Sequence, residues 1–157
     1  MTRRQLLSAL AALGLARSTV AAAPDRPDAV RRTDDEWRKR LTAAQYDVLR
    51  REGTEAPFSS PLNGEKRRGV YRCAGCELPL FTSEMKFDSG TGWPSFTTTL
   101  PDAVATRTDY KLLFPRTEYH CARCGGHQGH VFNDGPPPTG KRYCNNGVAL
   151  TFEPRGA

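Results

Sequence analysis

Cysteine spacing constrains this chain more than any other feature. Four of its five cysteines fall in two tight pairs, Cys73-Ala-Gly-Cys76 and Cys121-Ala-Arg-Cys124, while Cys144 stands apart in Arg142-Tyr-Cys-Asn-Asn146. A CxxC turn brings two sulfurs close to one ion, and two such turns complete a tetrahedral thiolate shell of the kind zinc prefers. The gap between the pairs is longer than in a zinc ribbon, so any such site must join two separated hairpins. With all four positions cysteine, no open position remains for water, and the site is expected to be structural. The alternative is two small-ring disulfides plus one free thiol. Rings of that size are usually redox-active and make an odd scaffold.

The N-terminus bears on this choice. Arg3-Arg4 precedes an apolar run from Leu6 to Ala16, followed by Arg17 and the small residues Ala21-Ala22-Ala23. This has the layout of an export signal over residues 1–23, with the arginine pair favouring the twin-arginine route over an ordinary Sec signal. The run is too short to serve as a membrane anchor. Export to the periplasm would place the cysteines in an oxidising compartment, where disulfides are common. A route that moves folded proteins would let the metal be loaded first. The 23 basic and 17 acidic residues give a net charge of +6. Three of the arginines lie in the signal, and the remainder is too weakly basic to argue for nucleic acid.

Residues 24–32, rich in Pro, Asp and Arg, read as a flexible linker. The rest, 33–157, is expected to form one domain. Thr33 with Glu36 and Thr42 with Gln45 are capping boxes, so one broken helix or two short ones should cover residues 34–52, with Gly53 as the C-cap. Leu41, Tyr46 and Leu49 supply an apolar stripe, and Trp37 reads as core. Beyond Gly53 the period shortens. Strands are expected near 69–72, 78–82, 104–108, 117–121, 130–133 and 141–152, separated by turns rich in Gly, Pro and Asp. The fold class is mainly β: small antiparallel sheets with a short N-terminal helical segment, stabilised by zinc.

Cys144 is the candidate nucleophile. Strand alternation would put Arg142, Cys144 and Asn146 on one face, where Arg142 favours a thiolate and the Asn146 amide can bind a polar group. His127 and His130, from His-x-x-His, are candidate proton donors. Read one by one, a lone cysteine and two histidines are as consistent with inert packing. His120 is expected to pack beside the metal turn.

Taken together, Phe87-Asp-Ser-Gly-Thr-Gly-Trp-Pro-Ser-Phe96, Gly126-His-Gln-Gly-His-Val-Phe-Asn-Asp-Gly135 and Pro138-Thr-Gly-Lys-Arg-Tyr-Cys-Asn-Asn-Gly147 resemble the methionine-R-sulfoxide reductases, the MsrB family. The paired CxxC units match its zinc-binding members. The resemblance spans the chain beyond the signal and implies a fold of two antiparallel sheets. It implies that Cys144 attacks the sulfoxide sulfur of a protein or peptide methionine-R-sulfoxide and becomes a sulfenic acid. His130 and His127 would handle protons, Arg142 and Asn146 would orient the thiolate and water, and Trp93 would pack on the substrate methyl group. Cys73, Cys76, Cys121 and Cys124 would hold one zinc ion. Many members carry a resolving cysteine in the Ser-Gly-x-Gly-Trp loop; here that position is Thr91. An external thioredoxin-like dithiol is therefore expected to recycle Cys144. Nothing points beyond a monomer. A zinc module for nucleic acid, or a zinc-bearing chaperone, would have no use for Cys144 and its histidines.

Overall fold

The computed structural model describes residues 26–156. The expected export signal lies outside them. Part of the segment read as a linker is tied to the body: the Val30 amide donates to the Arg123 carbonyl at 2.9 Å, and Arg123 pairs with Asp28 at 3.0 Å.

Two short helices open the domain, α1 (Asp34–Arg40) and α2 (Ala43–Arg51), each started by a complete capping box at Thr33 and Thr42. Side chain and backbone exchange hydrogen bonds at both caps, which fixes where each helix begins. The left-handed residue ending α2 is Glu52 (φ 58°) instead of Gly53. Trp37 is buried under the helices, with the guanidinium groups of Arg32 and Arg50 at 5.0 and 4.9 Å from its ring. Such placements add modest cation–π attraction to its burial.

The remainder is two antiparallel sheets, as expected. The smaller joins β1 (Gly69–Cys73), β2 (Pro79–Thr82) and β9 (Leu150–Pro154) in the order β2-β1-β9. The larger contains β3 (Lys86–Phe87), β4 (Ser95–Phe96), β5 (Val104–Asp109), β6 (Arg116–Cys121), β7 (His127–Phe132) and β8 (Arg142–Asn145), in the order β3-β4-β8-β7-β6-β5. Aromatic rings fill the space between the sheets. Phe81 stacks on Phe96 at 3.9 Å, and Tyr71 and Tyr119 meet this pair edge-on. Offset and edge contacts of this kind add to the gain from burial alone.

One strand was expected across 141–152; the chain instead changes sheets there. β8 ends at Asn145, a short 3-10 turn covers Gly147–Ala149, and β9 begins in the other sheet. The Glu55 carboxylate causes the break. It accepts the Gly147 and Val148 amides at 2.5 and 2.9 Å, so those donors are unavailable to a sheet ladder.

Candidate active site and metal centre

Strand alternation delivers the paired cysteines. In β1, Tyr71 and Cys73 share a face, and in β6, Tyr119 and Cys121 do the same. Each strand thus puts a tyrosine into the aromatic core and a cysteine just beyond it, and all four residues are fully buried. The turns after them bring in Cys76 and Cys124. The Glu77 and Gly125 amides donate back to the Cys73 and Cys121 carbonyls at 2.8 Å each, with both turn residues left-handed (φ 64° and 68°). The four sulfurs lie within 4.8 Å of one another. Cys73 and Cys124 Sγ are 3.7 Å apart, and Cys76 and Cys121 Sγ are 3.5 Å apart. A tetrahedron with zinc–sulfur bonds of about 2.3 Å has edges of about 3.8 Å, so the cage fits a tetrathiolate ion. No pair approaches the S–S bond length of about 2.05 Å, and none of the five cysteines is in a disulfide. One pair comes from the small sheet and one from the large, so a metal here would clamp the sheets together.

Cys144 lies elsewhere, on β8. Tyr143 turns into the aromatic core, leaving Arg142 and Cys144 on the opposite face. Strand register builds the site around it. Cys144 pairs with His130 on β7, His130 with Glu118 on β6, and Glu118 with Arg107 on β5. Ser95 on β4 flanks Cys144 from the other side. Residues directly opposite in an antiparallel pair share a face, about 5 Å apart. A polar row therefore crosses the sheet and includes Cys144.

His127 needs a further device, because residues three apart on a strand normally face opposite ways. Tyr119 pairs with Gly129 but His120 pairs with His127, leaving Gln128 as the extra residue of a bulge. The bulge brings the His127 and His130 rings to 5.5 Å. The two are not equivalent, however. His130 lines the same pocket as Cys144, whereas His127 faces an adjoining cavity. His127 Nδ1 lies 2.7 Å from Glu118. His130 Nε2 lies 2.7 Å from Asp109, which also pairs with Arg116 at 2.6 Å. Burial of Asp109 favours its neutral form, yet bonds from the Lys111 amide, His130 and Arg116 outweigh this and keep it ionised. An ionised Asp109 can only accept, so His130 carries its proton on Nε2 and keeps Nδ1 as an acceptor. Burial lowers the His130 pKa against the opposing pull of Asp109, so the ring is neutral at neutral pH.

The Cys144 pocket holds about 140 Å³ and is lined by Trp93, His130, Cys144, Asn146, Phe132 and Arg116, among others. Cavities of roughly 150 Å³ accept a ring the size of benzene, so one small thioether group fits. Gly129 on its floor has no room for a side chain: a Cβ there would lie 1.9 Å from the Cys144 carbonyl oxygen. Trp93 forms a wall, its Nε1 donating to the Glu55 carbonyl at 3.1 Å. Arg142 forms a two-pronged ion pair with Asp134 at 2.9 Å and lies over the Phe132 ring.

Asn146 departs from expectation. It sits past the end of β8, and its amide is engaged on both sides: Oδ1 accepts the Glu55 amide and Nδ2 donates to the Gln128 carbonyl, each at 3.0 Å. These bonds hold Asn146 in the pocket wall beside Cys144. Glu55, unremarkable in sequence, proves central, since it ties together Asn146, the 147–148 turn and Trp93. Glu118, Asp109 and Arg116 were also invisible without strand register.

The thiolate expectation needs correction too. Arg142 acts in the expected direction, helped by hydrogen bonding from Thr91, but burial is the larger effect and leaves the Cys144 pKa above its ordinary value of 9.0. Cys144 is therefore expected to be a thiol at neutral pH. Alkylation of Cys144 by iodoacetamide, followed by intact mass, should keep accelerating above pH 9. A plateau by pH 8 would contradict this electrostatic balance.

The SelR domain family matches residues 41–154, most of the described chain. The chain belongs to the MsrB family of peptide methionine sulfoxide reductases. It is 53% identical over 126 residues to the peptide methionine sulfoxide reductase MsrB of Agrobacterium fabrum, covering 80% of this chain and 93% of that one. It is likewise 53% identical over 126 residues to the protein of that name from Methanosarcina barkeri, covering 80% and 89%. Among solved structures, the Mis18 "Yippee-like" domain overlays 58% of this chain with a TM-score of 0.46 at 18% identity. In this MsrB-family chain, Cys144, His130 and Trp93 share one pocket, and the four remaining cysteines are gathered away from it.

Proposed function

We propose that this chain repairs oxidised proteins and peptides by reducing methionine-R-sulfoxide, with Cys144 as nucleophile. The observation that carries this reading is the direct cross-strand pairing of Cys144 with a neutral His130 on the floor of a Trp93-walled pocket. The substrate methyl group packs on the Trp93 ring, and the sulfoxide oxygen points toward His130. The R preference follows from the family.

The step balances without an outside proton. Cys144 Sγ attacks the sulfoxide sulfur and forms an S–S bond; the oxygen then passes to the Cys144 sulfur as that S–S bond and the sulfoxide S–O bond both break. Methionine sulfur gains two electrons and Cys144 sulfur loses two, giving a sulfenic acid. The thiol proton ends on that transferred oxygen. His130 Nδ1 can take it from the thiol and return it, which makes a neutral imidazole the useful form. His127, held by Glu118, supports the His130 ring from behind. Arg142 and Thr91 stabilise the thiolate as it forms.

Thr91 cannot form a disulfide, and the other four cysteines are gathered in the metal cage. A thioredoxin-like dithiol then attacks the sulfenic sulfur, water leaves, and its second thiol releases Cys144 from the mixed disulfide. One turnover without reductant should yield one methionine per enzyme and one added oxygen on Cys144, read by mass spectrometry. A disulfide between Cys144 and any other cysteine would overturn this. A T91C variant should gain an internal disulfide to Cys144 under the same conditions.

Cys73, Cys76, Cys121 and Cys124 would hold one zinc ion, which supplies structure and no reactive position. Residues 1–23 serve on this reading as a twin-arginine export signal, residues 24–32 as a linker that docks on the domain through Asp28 and Val30, and 33–157 as the reductase domain of a monomeric periplasmic enzyme with no nucleic-acid partner. Cell fractionation tests the location. Among the described residues no helix is long and apolar enough to cross a membrane.

A further inference from the structure

Between β5 and β6 the chain turns through Tyr110-Lys-Leu-Leu-Phe-Pro115, and its apolar side chains stand in solvent. Tyr110 is 76% exposed, Leu112 60%, Leu113 97% and Phe114 79%. A soluble domain seldom leaves so many neighbouring apolar groups uncovered unless they meet a partner. Both ends of the turn belong to the reactive centre. Asp109, just before it, bonds His130, and Arg116, just after it, lines the Cys144 pocket. Tyr110 and Lys111 themselves line the cavity that adjoins His127 and His130. A second exposed aromatic, Phe58 (72%), lies beside the Trp93 wall, where its amide donates to the Gly92 carbonyl at 2.7 Å.

We propose that the 110–115 turn is a docking surface for unfolded polypeptide, which it holds while an oxidised methionine of that segment enters the Cys144 pocket. The inference rests on the reductase reading above and adds the form in which the substrate arrives. Methionine is mostly buried in folded proteins, among other apolar residues. Its sulfoxide is polar and disrupts such packing. The segment that presents it is thus an opened stretch of chain with apolar neighbours, and Leu112, Leu113 and Phe114 offer those neighbours cover next to the pocket. None of the three lines the pocket, so a single capped amino acid would not need them.

The test compares two substrates on wild type and an L113S/F114S variant: N-acetyl-methionine-R-sulfoxide amide, and an S-alkylated, peroxide-oxidised polypeptide that cannot refold. The expected result is a rise in KM for the polypeptide of about tenfold or more, as loss of even one buried apolar side chain implies. The kcat and KM for the capped amino acid should stay within twofold. An unoxidised, S-alkylated polypeptide should inhibit wild type and not the variant. Equal losses on both substrates, or no change on either, would overturn the proposal. So would wild-type binding to anionic vesicles, or concentration-dependent dimerisation, that the variant loses while polypeptide KM is unaltered. A wild type inactive on the capped amino acid would instead sink the reductase reading itself.

Discussion

Replacing Cys144 by serine is expected to abolish reduction of methionine-R-sulfoxide while leaving fold and metal content intact. Serine keeps the shape of the side chain but lacks a sulfur able to accept oxygen and form a sulfenic acid. Removing the nucleophile of a covalent mechanism costs on the order of 10⁴-fold or more in kcat, because no later step can proceed without it. The variant should still unfold cooperatively at the wild-type Tm, since Cys144 lies outside the aromatic core and outside the cysteine cage. Turnover by C144S within tenfold of wild type would overturn the mechanism. A large fall in Tm would mean that the loss reports on folding and not on chemistry.

Removal of a metal held by the four-cysteine cage is expected to be as severe for stability. The cage joins β1 of the small sheet to β6 of the large one, next to Trp37 and the aromatic core. Structural zinc contributes about 10–16 kcal/mol of apparent binding free energy in small zinc modules, against a total stability of about 5–15 kcal/mol for an ordinary domain. Each kcal/mol lost lowers Tm by about 2–8 °C in domains of this range, so chelation under reducing conditions should drop Tm by tens of degrees or leave no cooperative transition. Activity should fall with it, although an ion in that cage would lie away from the Cys144 pocket. Thermal melts with metal content measured by atomic absorption check this. An unchanged Tm after confirmed metal loss would mean that the thiols alone hold the sheets.

Much of this architecture was legible beforehand, for identifiable reasons. Capping boxes are local, so Thr33 and Thr42 announced both helices. Strand signals are local as well, so the strands expected near 69–72 and 117–121 are found at Gly69–Cys73 and Arg116–Cys121. The two-residue strands Lys86–Phe87 and Ser95–Phe96 carry no period to detect and were missed. The break at Asn146 was missed because its cause, Glu55, lies far away in sequence. The site shows the same division. Cys144, His130 and Trp93 were visible through their motifs. The row from Arg107 through Glu118 and His130 to Cys144 depends on register across four strands, which no single segment encodes. The Cys144 pKa divides the same way: Arg142 is two residues away and legible in sequence, but burial is a property of the whole fold.

The most direct test of the central claim is a stereospecific assay. A peptide carrying both methionine sulfoxide epimers is incubated with the enzyme and dithiothreitol, and the epimers are separated by chromatography. The R epimer should disappear and the S epimer remain. Consumption of the S epimer, or of neither, would contradict the assignment.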